Sequence, residues 1–242
     1  MTRIYDTIGT GYARLRRPDP RIAARIDAAL GAAQTVLNVG AGTGSYEPAT
    51  RAVTALEPSA EMIAQRPPEA APVVQGSAEN LPFDDNSFDA AMAVLTIHHW
   101  SDQRRGLAEM ARVSRGPVVI LTYDATFRDF WLLDYFPALA TLDDAQMPPM
   151  GFYAEVLGPC AIAPVPIPHD CTDGFLAAYW RRPSAYLDET TRRAISSFWK
   201  IGDISDGLAR LQSDLSDGTW AARHGALQSL DARDCGYRLV TA

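Results

Sequence analysis

Short apolar runs alternate with segments of helical periodicity through the first half of the chain. The apolar runs cover residues 36–39, 52–56, 72–75, 88–95 and 118–124, and each predicts a β-strand. The fourth run is apolar almost without interruption, as is typical of strands buried on both faces of a parallel sheet. Because strands and helices alternate, the pattern predicts an open, twisted, parallel sheet with helices on both faces.

Polar residues mark where the intervening helices begin. Asp19 precedes a proline and predicts the cap of a first helix, in which Ile22 and Ile26 recur at helical spacing. Ser59 predicts the cap of a second helix that extends to about residue 65. Asp102 follows a serine and predicts the start of a helix before the fifth strand.

The second half of the chain has a different pattern. Aromatic residues at 130–136 and the segment 152–157 predict short helices, and residues 236–241 predict a closing strand. The run 161–168 can be extended, but its prolines cannot donate ladder hydrogen bonds, so it must lie at a sheet edge. The sequence between the last two strands is mainly helical. We hypothesise that residues 173–234 form an inserted cap over a ligand pocket, the alternative being a helical layer far from it.

Length and composition indicate one substantial folded domain. The chain has 242 residues, of which 47% are hydrophobic and 21% charged, so a packed core is expected. No apolar run approaches the roughly 18 residues of a membrane span, and the N-terminus lacks the apolar centre of a signal peptide. We therefore expect a soluble, cytoplasmic protein. Cys160, Cys171 and Cys235 match neither a zinc pattern nor a disulfide framework.

The charge of the chain argues against nucleic acid as a partner. The formal net charge is −7, and Lys200 is the only lysine among 22 basic residues. Cationic contacts to phosphates dominate the affinity of nucleic-acid binding. An acidic chain without a basic run therefore favours another class of ligand.

A glycine-rich turn follows the first strand and indicates what that ligand is. Gly40, Gly42 and Gly44 alternate with other residues, and Ser45 is placed to cap a following helix. Such a turn presents backbone N–H groups to a ligand. Glu57 ends the second strand 17 positions after Gly40 (57 − 40), where an acid binds ribose hydroxyls. Serine in place of a further glycine at position 45 disfavours a dinucleotide, and hence a dehydrogenase, and favours a nucleoside without a pyrophosphate.

Four motifs occur in register over residues 1–124. They are Val36–Gly44, Leu56-Glu57-Pro58-Ser59, Ala78–Phe83 followed by Ser87-Phe88-Asp89, and Glu109–Val113. This half of the chain resembles the class I S-adenosylmethionine-dependent methyltransferases, in particular their type 11 group. The resemblance implies an α/β fold with a mostly parallel, seven-stranded, Rossmann-like sheet. On this basis residues 1–172 form the core with an N-terminal helix, residues 173–234 the helical insertion or cap, and residues 235–242 the final strand.

The resemblance also implies the cofactor, S-adenosyl-L-methionine, and the residues that would contact it. Glu57 would bind both ribose hydroxyls, Glu79 and its neighbours would border the adenine, and Leu95 would lie at the sulfonium end. Tyr12 and Arg17 could fold over the ligand, or could belong to a surface helix. The expected cofactor-binding residues are Tyr12, Arg17, Gly40, Ala41, Gly42, Gly44, Glu57, Pro58, Met62, Ser77, Ala78, Glu79 and Leu95. Ser77 departs from the family, in which many relatives have aspartate, and Arg115-Gly116-Pro117 shortens the usual turn before the fifth strand.

Methyl transfer from a sulfonium requires an aligned nucleophile and the removal of its proton, and it requires no metal. His98 and His99 follow the fourth strand and are the candidate catalytic bases, unless they only hydrogen-bond the backbone. Asp124 is a rival that could equally cap a turn. Candidate substrate contacts are the aromatic or polar residues Trp131, Tyr135, His169, Asp170 and Trp180, although most of the aromatic stretch is expected to be core.

The first functional hypothesis is a methyltransferase that acts on an O, N or C atom of a small molecule. The alternatives are an RNA-modifying methyltransferase and a protein that binds S-adenosylmethionine without catalysis. The pattern predicts neither the acceptor nor the oligomeric state.

Overall fold

One mixed sheet organises the protein, for which a computed structural model describes residues 16–242. Within that range the strands are β1 (Thr35–Val39), β2 (Ala52–Glu57), β3 (Val73–Gln75), β4 (Ala90–Val94), β5 (Val118–Tyr123), β6 (Ala161–Pro164), β7 (Ile167–Pro168), β8 (Ala232–Arg233) and β9 (Tyr237–Thr241). Seven of these described strands form the sheet, in the order β3-β2-β1-β4-β5-β9-β6. The predicted seven-stranded α/β fold is therefore confirmed.

The sheet is parallel from β3 to β5 and antiparallel beyond it. β9 runs antiparallel between β5 and β6, and β6 forms the edge. The proline-rich run therefore lies at the edge that its missing N–H donors predicted. Since the strand order reverses between β1 and β4, the carboxyl ends of these two strands border the crevice where open α/β sheets bind ligands.

Helices cover both faces of the sheet. They are α1 (Pro20–Ala29), α2 (Ala60–Ala64), α3 (Gln103–Val113), α4 (Leu132–Tyr135), α5 (Ala138–Gln146), α6 (Gly151–Leu157), α7 (Glu189–Arg193), α8 (Ser205–Ser216) and α9 (Thr219–His224). Ile22 and Ile26 of α1 belong to one buried cluster with Val36 of β1. Leu107 of α3 belongs to the cluster that contains Leu37. Neighbouring residues of β1 thus point to opposite faces, as the pleat of a strand requires.

The three predicted caps occur, but a fourth does not. The side chains of Asp19, Ser59 and Asp102 accept hydrogen bonds from backbone N–H groups in the first turns of α1, α2 and α3. The prediction that Ser45 caps a helix is wrong, because residues 46–51 form turns. The Ser45 hydroxyl instead donates to the carbonyl of Arg16 at 3.5 Å.

Residues 176–229 lie between β7 and β8 and consist of short helices. Buried aromatic residues join them to the core: the Trp131 indole N–H donates to the Trp180 carbonyl at 2.7 Å, and the Trp180 indole N–H donates to the Ile167 carbonyl at 3.0 Å. The pairing of β7 with β8 closes the base of this segment. Across the described residues, no helix has the length and apolar character needed to traverse a membrane.

Candidate functional site

The glycine turn after β1 has a backbone conformation that other residues rarely adopt. Gly40 and Gly42 have φ values of +70° and +53°. The N–H groups of Gly40 and Ala41 both donate to the carbonyl of Leu56, at 2.8 and 3.0 Å. A Cβ on Gly40 would lie 2.2 Å from the Thr96 hydroxyl oxygen, so two strand ends meet there at backbone distance.

Glu57 is held at the end of β2 by two backbone donors. Its Oε2 accepts the N–H of Gly42 and its Oε1 accepts the N–H of Ser59, both at 2.8 Å. Only 6% of the residue is exposed, yet it lines a cavity. The chain therefore fixes an acceptor-only group at the position where a ribose would bind.

That cavity, the first of two, has a volume of about 390 Å³ and lies at the carboxyl ends of the strands. It brings together most of the predicted cofactor contacts: Gly40, Ala41, Gly42, Glu57, Pro58, Met62, Ser77, Ala78, Glu79 and Leu95. Motifs separated by more than 50 positions in sequence thus meet in one enclosed space. Asn38, Thr43, Tyr46, Thr96, Trp100 and Ser101 also line it, and no motif had singled them out.

Two predicted contacts lie elsewhere, and a third cannot be placed. A Cβ on Gly44 would face Glu47 and Arg66, so this glycine allows the turn and its ion pair instead of lining the cavity. Arg17 is exposed, whereas the neighbouring Arg16 lines the cavity. Arg16 is oriented by Asp173, whose Oδ1 accepts its Nε–H at 2.6 Å. Tyr12 lies outside the described residues.

Glu79 is fixed at the end of the cavity where the resemblance places the adenine. Its Oε1 accepts the backbone N–H of Ser101 at 2.8 Å, the Ser101 hydroxyl at 2.8 Å and the Asp102 N–H at 3.3 Å. Burial raises the pKa of this carboxyl, but the hydrogen bonds outweigh burial and the net pKa is lowered. Glu79 is therefore ionised at neutral pH.

The second cavity, of about 60 Å³, adjoins the first and shares Arg16, Leu95 and His99 with it. A buried water needs about 10–15 Å³ of such space, so the second cavity has room for a few water molecules. Its remaining lining is His98, Tyr123, Asp143, Gln146, Met147, Phe175, Leu176, Ile195, Ser196, Ser197 and Tyr237. Both predicted bases therefore face it.

The two histidines are surrounded by protein and by positive charge. Burial, reinforced by Lys200 and Arg16, lowers the pKa of His98 to about 3. The pKa of His99 is also well below its ordinary value, for the same reasons and because of His98. Both imidazoles are therefore neutral at pH 7, and each can donate one hydrogen bond and accept another.

The structure places the predicted substrate contacts away from both cavities. Trp131, Tyr135 and Trp180 are at most 4% exposed and pack in the core, because large apolar side chains gain most from burial. His169 and Asp170 lie nearer the surface, where Asp170 forms an ion pair with Arg21 at 2.7 Å. These five assignments are corrected. Asp124, the rival base, accepts the N–H and hydroxyl of Thr126 in a local turn.

The inserted segment contributes residues that no motif singled out. Lys200 lines the first cavity, and its Nζ donates to the Gln146 side-chain oxygen at 3.0 Å. Ile195, Ser196 and Ser197 line the second cavity. The only sequence signal at these positions was that Lys200 is the sole lysine.

The fold and the first cavity define a class: Rossmann-like domains that hold a nucleoside cofactor on a glycine turn and a strand-end acid. Residues 37–120 match the model of a methyltransferase domain family, type 11. A crystal structure from Anabaena variabilis, of a candidate methyltransferase from an antibiotic biosynthesis pathway, is 34% identical, with a TM-score of 0.85. The match covers 94% of this chain and 98% of that protein.

Curated relatives match over shorter regions. An uncharacterized methyltransferase of Mycobacterium tuberculosis is 42% identical over 94 residues, which are 35% of this chain and 37% of that protein. A demethylmenaquinone methyltransferase of Renibacterium salmoninarum is 33% identical over 138 residues, or 50% of this chain and 58% of that protein. The chain thus spans little more than a third to about three fifths of these relatives' length. Together with the Anabaena structure, the matches show that the chain belongs to the class I S-adenosylmethionine-dependent methyltransferases, type 11 group.

Proposed function

We propose that this protein transfers a methyl group from S-adenosyl-L-methionine to a small molecule. The observation that carries the proposal is the junction of two cavities. The first is lined by the glycine turn and Glu57, and the second is a smaller space that shares Leu95 and His99 with it. A donor and an acceptor bound in adjoining spaces are held in line for displacement.

The residues of the first cavity fit the cofactor. Glu57 offers carboxylate oxygens to ribose hydroxyls, and the backbone at Gly40 and Gly42 allows close approach. Arg16 and Lys200 are the basic side chains that line this cavity among residues 16–242, and we propose that they face the cofactor's carboxylate. When bound, S-adenosylmethionine supplies an activated methyl group on a sulfonium.

We propose that the second cavity binds the acceptor, with His98 and His99 orienting it as neutral imidazoles. The volume of about 60 Å³ suits a small molecule or the reacting end of a larger one. A net charge of −7 disfavours RNA. The similarity to a demethylmenaquinone methyltransferase also supports a small-molecule acceptor.

We further propose that residues 173–234 act as a cap over this site in a cytoplasmic enzyme. Lys200 and Ile195 bring the inserted segment to the walls of both cavities, which supports the cap over a remote layer. Three free cysteines suit a reducing compartment.

The test has two stages. We expect S-adenosylhomocysteine, the demethylated product, to bind in isothermal titration calorimetry and NAD to show no binding under the same conditions. Protein that binds should then transfer a labelled methyl group from S-adenosylmethionine to a member of a panel of small phenols, amines and thiols.

The outcomes separate the candidate functions. Failure to bind S-adenosylhomocysteine, or preference for NAD, would contradict the proposal. Tight binding without transfer to any panel member would instead favour a non-catalytic binding protein. Transfer to bulk RNA in preference to the panel would favour the RNA-modifying alternative.

A further inference from the structure

A buried carboxyl group faces the second cavity and is not used by the function proposed above. Asp143 lies in α5, is 5% exposed, and is the only carboxyl that lines this cavity within residues 16–242. The next residue, Asp144, points to the surface and forms an ion pair with Arg128 at 2.6 Å. One helix therefore presents one acid to solvent and the other to a closed space.

Several titratable groups surround Asp143. Arg128 and Asp144 lie on its own side, Lys200 approaches from the inserted segment, and Tyr123 and Tyr237 approach from β5 and β9. His98 and His99 line the same cavity. Burial is the largest influence and raises the pKa of Asp143 to about 7, although Arg128 opposes it. A carboxyl with this pKa exchanges its proton near neutral pH.

Positive charge lies where the two cavities meet. Arg16 lines both spaces and Lys200 lines the first, and together they help to lower the pKa of His98. The same field favours any group that becomes negative there and disfavours an ammonium. A sulfonium in the first cavity would add to it. An acceptor that reacts as an oxyanion therefore suits this junction better than a protonated amine.

We propose that the second cavity binds a small molecule with an acidic hydroxyl, a phenol or an enol, and that Asp143 is the general base that takes its proton. The proposal rests on the proposed function. In the step, the O–H bond breaks and its proton passes to the Asp143 carboxylate. The oxygen forms the new C–O bond, and the electron pair of the broken C–S bond stays on sulfur as a neutral thioether. The proton then leaves Asp143 to water.

Asp143 suits this role better than the histidines do. A general base is most effective when its pKa is close to the working pH. Asp143 meets that condition, whereas burial and the neighbouring cations keep the pKa of both imidazoles far below it. His98 and His99 then serve as hydrogen-bonding partners that orient the acceptor.

The first test measures binding with phenol and aniline, which are matched in size and differ in the reacting group. In protein saturated with S-adenosylhomocysteine, we expect phenol to bind at least about tenfold more tightly than aniline by calorimetry. Phenol affinity should fall as the pH drops below about 7, because protonated Asp143 no longer accepts the hydroxyl proton. The D143N variant should lose this pH dependence, and D144N should keep it.

The second test measures transfer. For methylation of phenol, kcat/KM should rise with pH up to about 7 in the native protein. In D143N it should fall by about 10²–10⁴-fold and lose that limb of the profile. D144N should retain both, and all three proteins should bind S-adenosylhomocysteine equally.

Each outcome bears on one proposal. Equal or tighter binding of aniline, no binding of either probe to cofactor-loaded protein, or identical behaviour of D143N and D144N would overturn this inference and leave the proposed function standing. Loss of S-adenosylhomocysteine binding in the native protein would instead remove the proposed function.

Discussion

Replacement of Glu57 by glutamine is expected to weaken binding of S-adenosylhomocysteine by about 30- to 1,000-fold, or about 2–4 kcal/mol. The carboxylate accepts a backbone N–H at each oxygen, from Gly42 and from Ser59. A glutamine amide of the same shape can accept only one of them, because its NH₂ group faces the other donor. The variant thus loses the charge-assisted contact to the ribose and also disturbs the glycine turn.

Glu61 provides the matched control for this experiment. It is an exposed acid in α2, and the Gln65 side-chain amide donates to it at 2.9 Å. E61Q should bind S-adenosylhomocysteine as the native protein does. Calorimetry of both variants, with circular dichroism to show that each is folded, measures the difference. An E57Q protein that is folded and binds within threefold of native would contradict the role of Glu57.

The sequence was sufficient for the first cavity because its signals are local. A strand, a glycine turn and a strand-end acid are each readable over a few residues, and the parallel sheet brings Gly40 and Glu57 to one edge. The caps at Asp19, Ser59 and Asp102 are local in the same sense. Ser45 fails as a cap because residues 46–51 turn without forming a helix, which a single polar residue cannot reveal.

The second cavity could not be predicted, since its walls come from distant parts of the chain. Asp143 lies in a helix beyond β5, and Ile195 and Ser196 lie in the inserted segment. No periodicity distinguishes Asp143 from Asp144, although only one of them is buried. The choice between Arg16 and Arg17 is similar, because the contact with Asp173, 157 positions away, determines which arginine faces the site.

The aromatic candidates were wrong for a related reason. Trp131 and Trp180 were proposed as substrate contacts because aromatic side chains often line pockets, yet each is buried and donates its indole N–H to a carbonyl. A tryptophan whose apolar surface and N–H group are both satisfied inside the core has little left for a ligand. Sequence alone cannot separate these two uses of an aromatic residue.

Substitution of Gly40 by alanine is expected to lower the free energy of unfolding by about 2–5 kcal/mol. The left-handed backbone, with φ of +70°, costs about 1–2 kcal/mol for a residue with a Cβ. The new methyl would also lie 2.2 Å from the Thr96 hydroxyl oxygen, and such overpacking costs about 1–3 kcal/mol more. Urea denaturation measures the change, with the slope of the transition compared between variants.

Gly31 separates the two contributions, because its φ is +57° and nothing lies within 4 Å of a Cβ there. G31A should therefore cost only the backbone part. Thr96 supplies the clash, so T96A should recover about 1–2 kcal/mol of the loss when it is combined with G40A. If G40A costs no more than G31A, or if G40A and T96A are simply additive, the contact between the turn and the end of β4 does not constrain position 40. If both expectations hold, the glycine at position 40 is required by the close meeting of two strand ends, independently of any ligand.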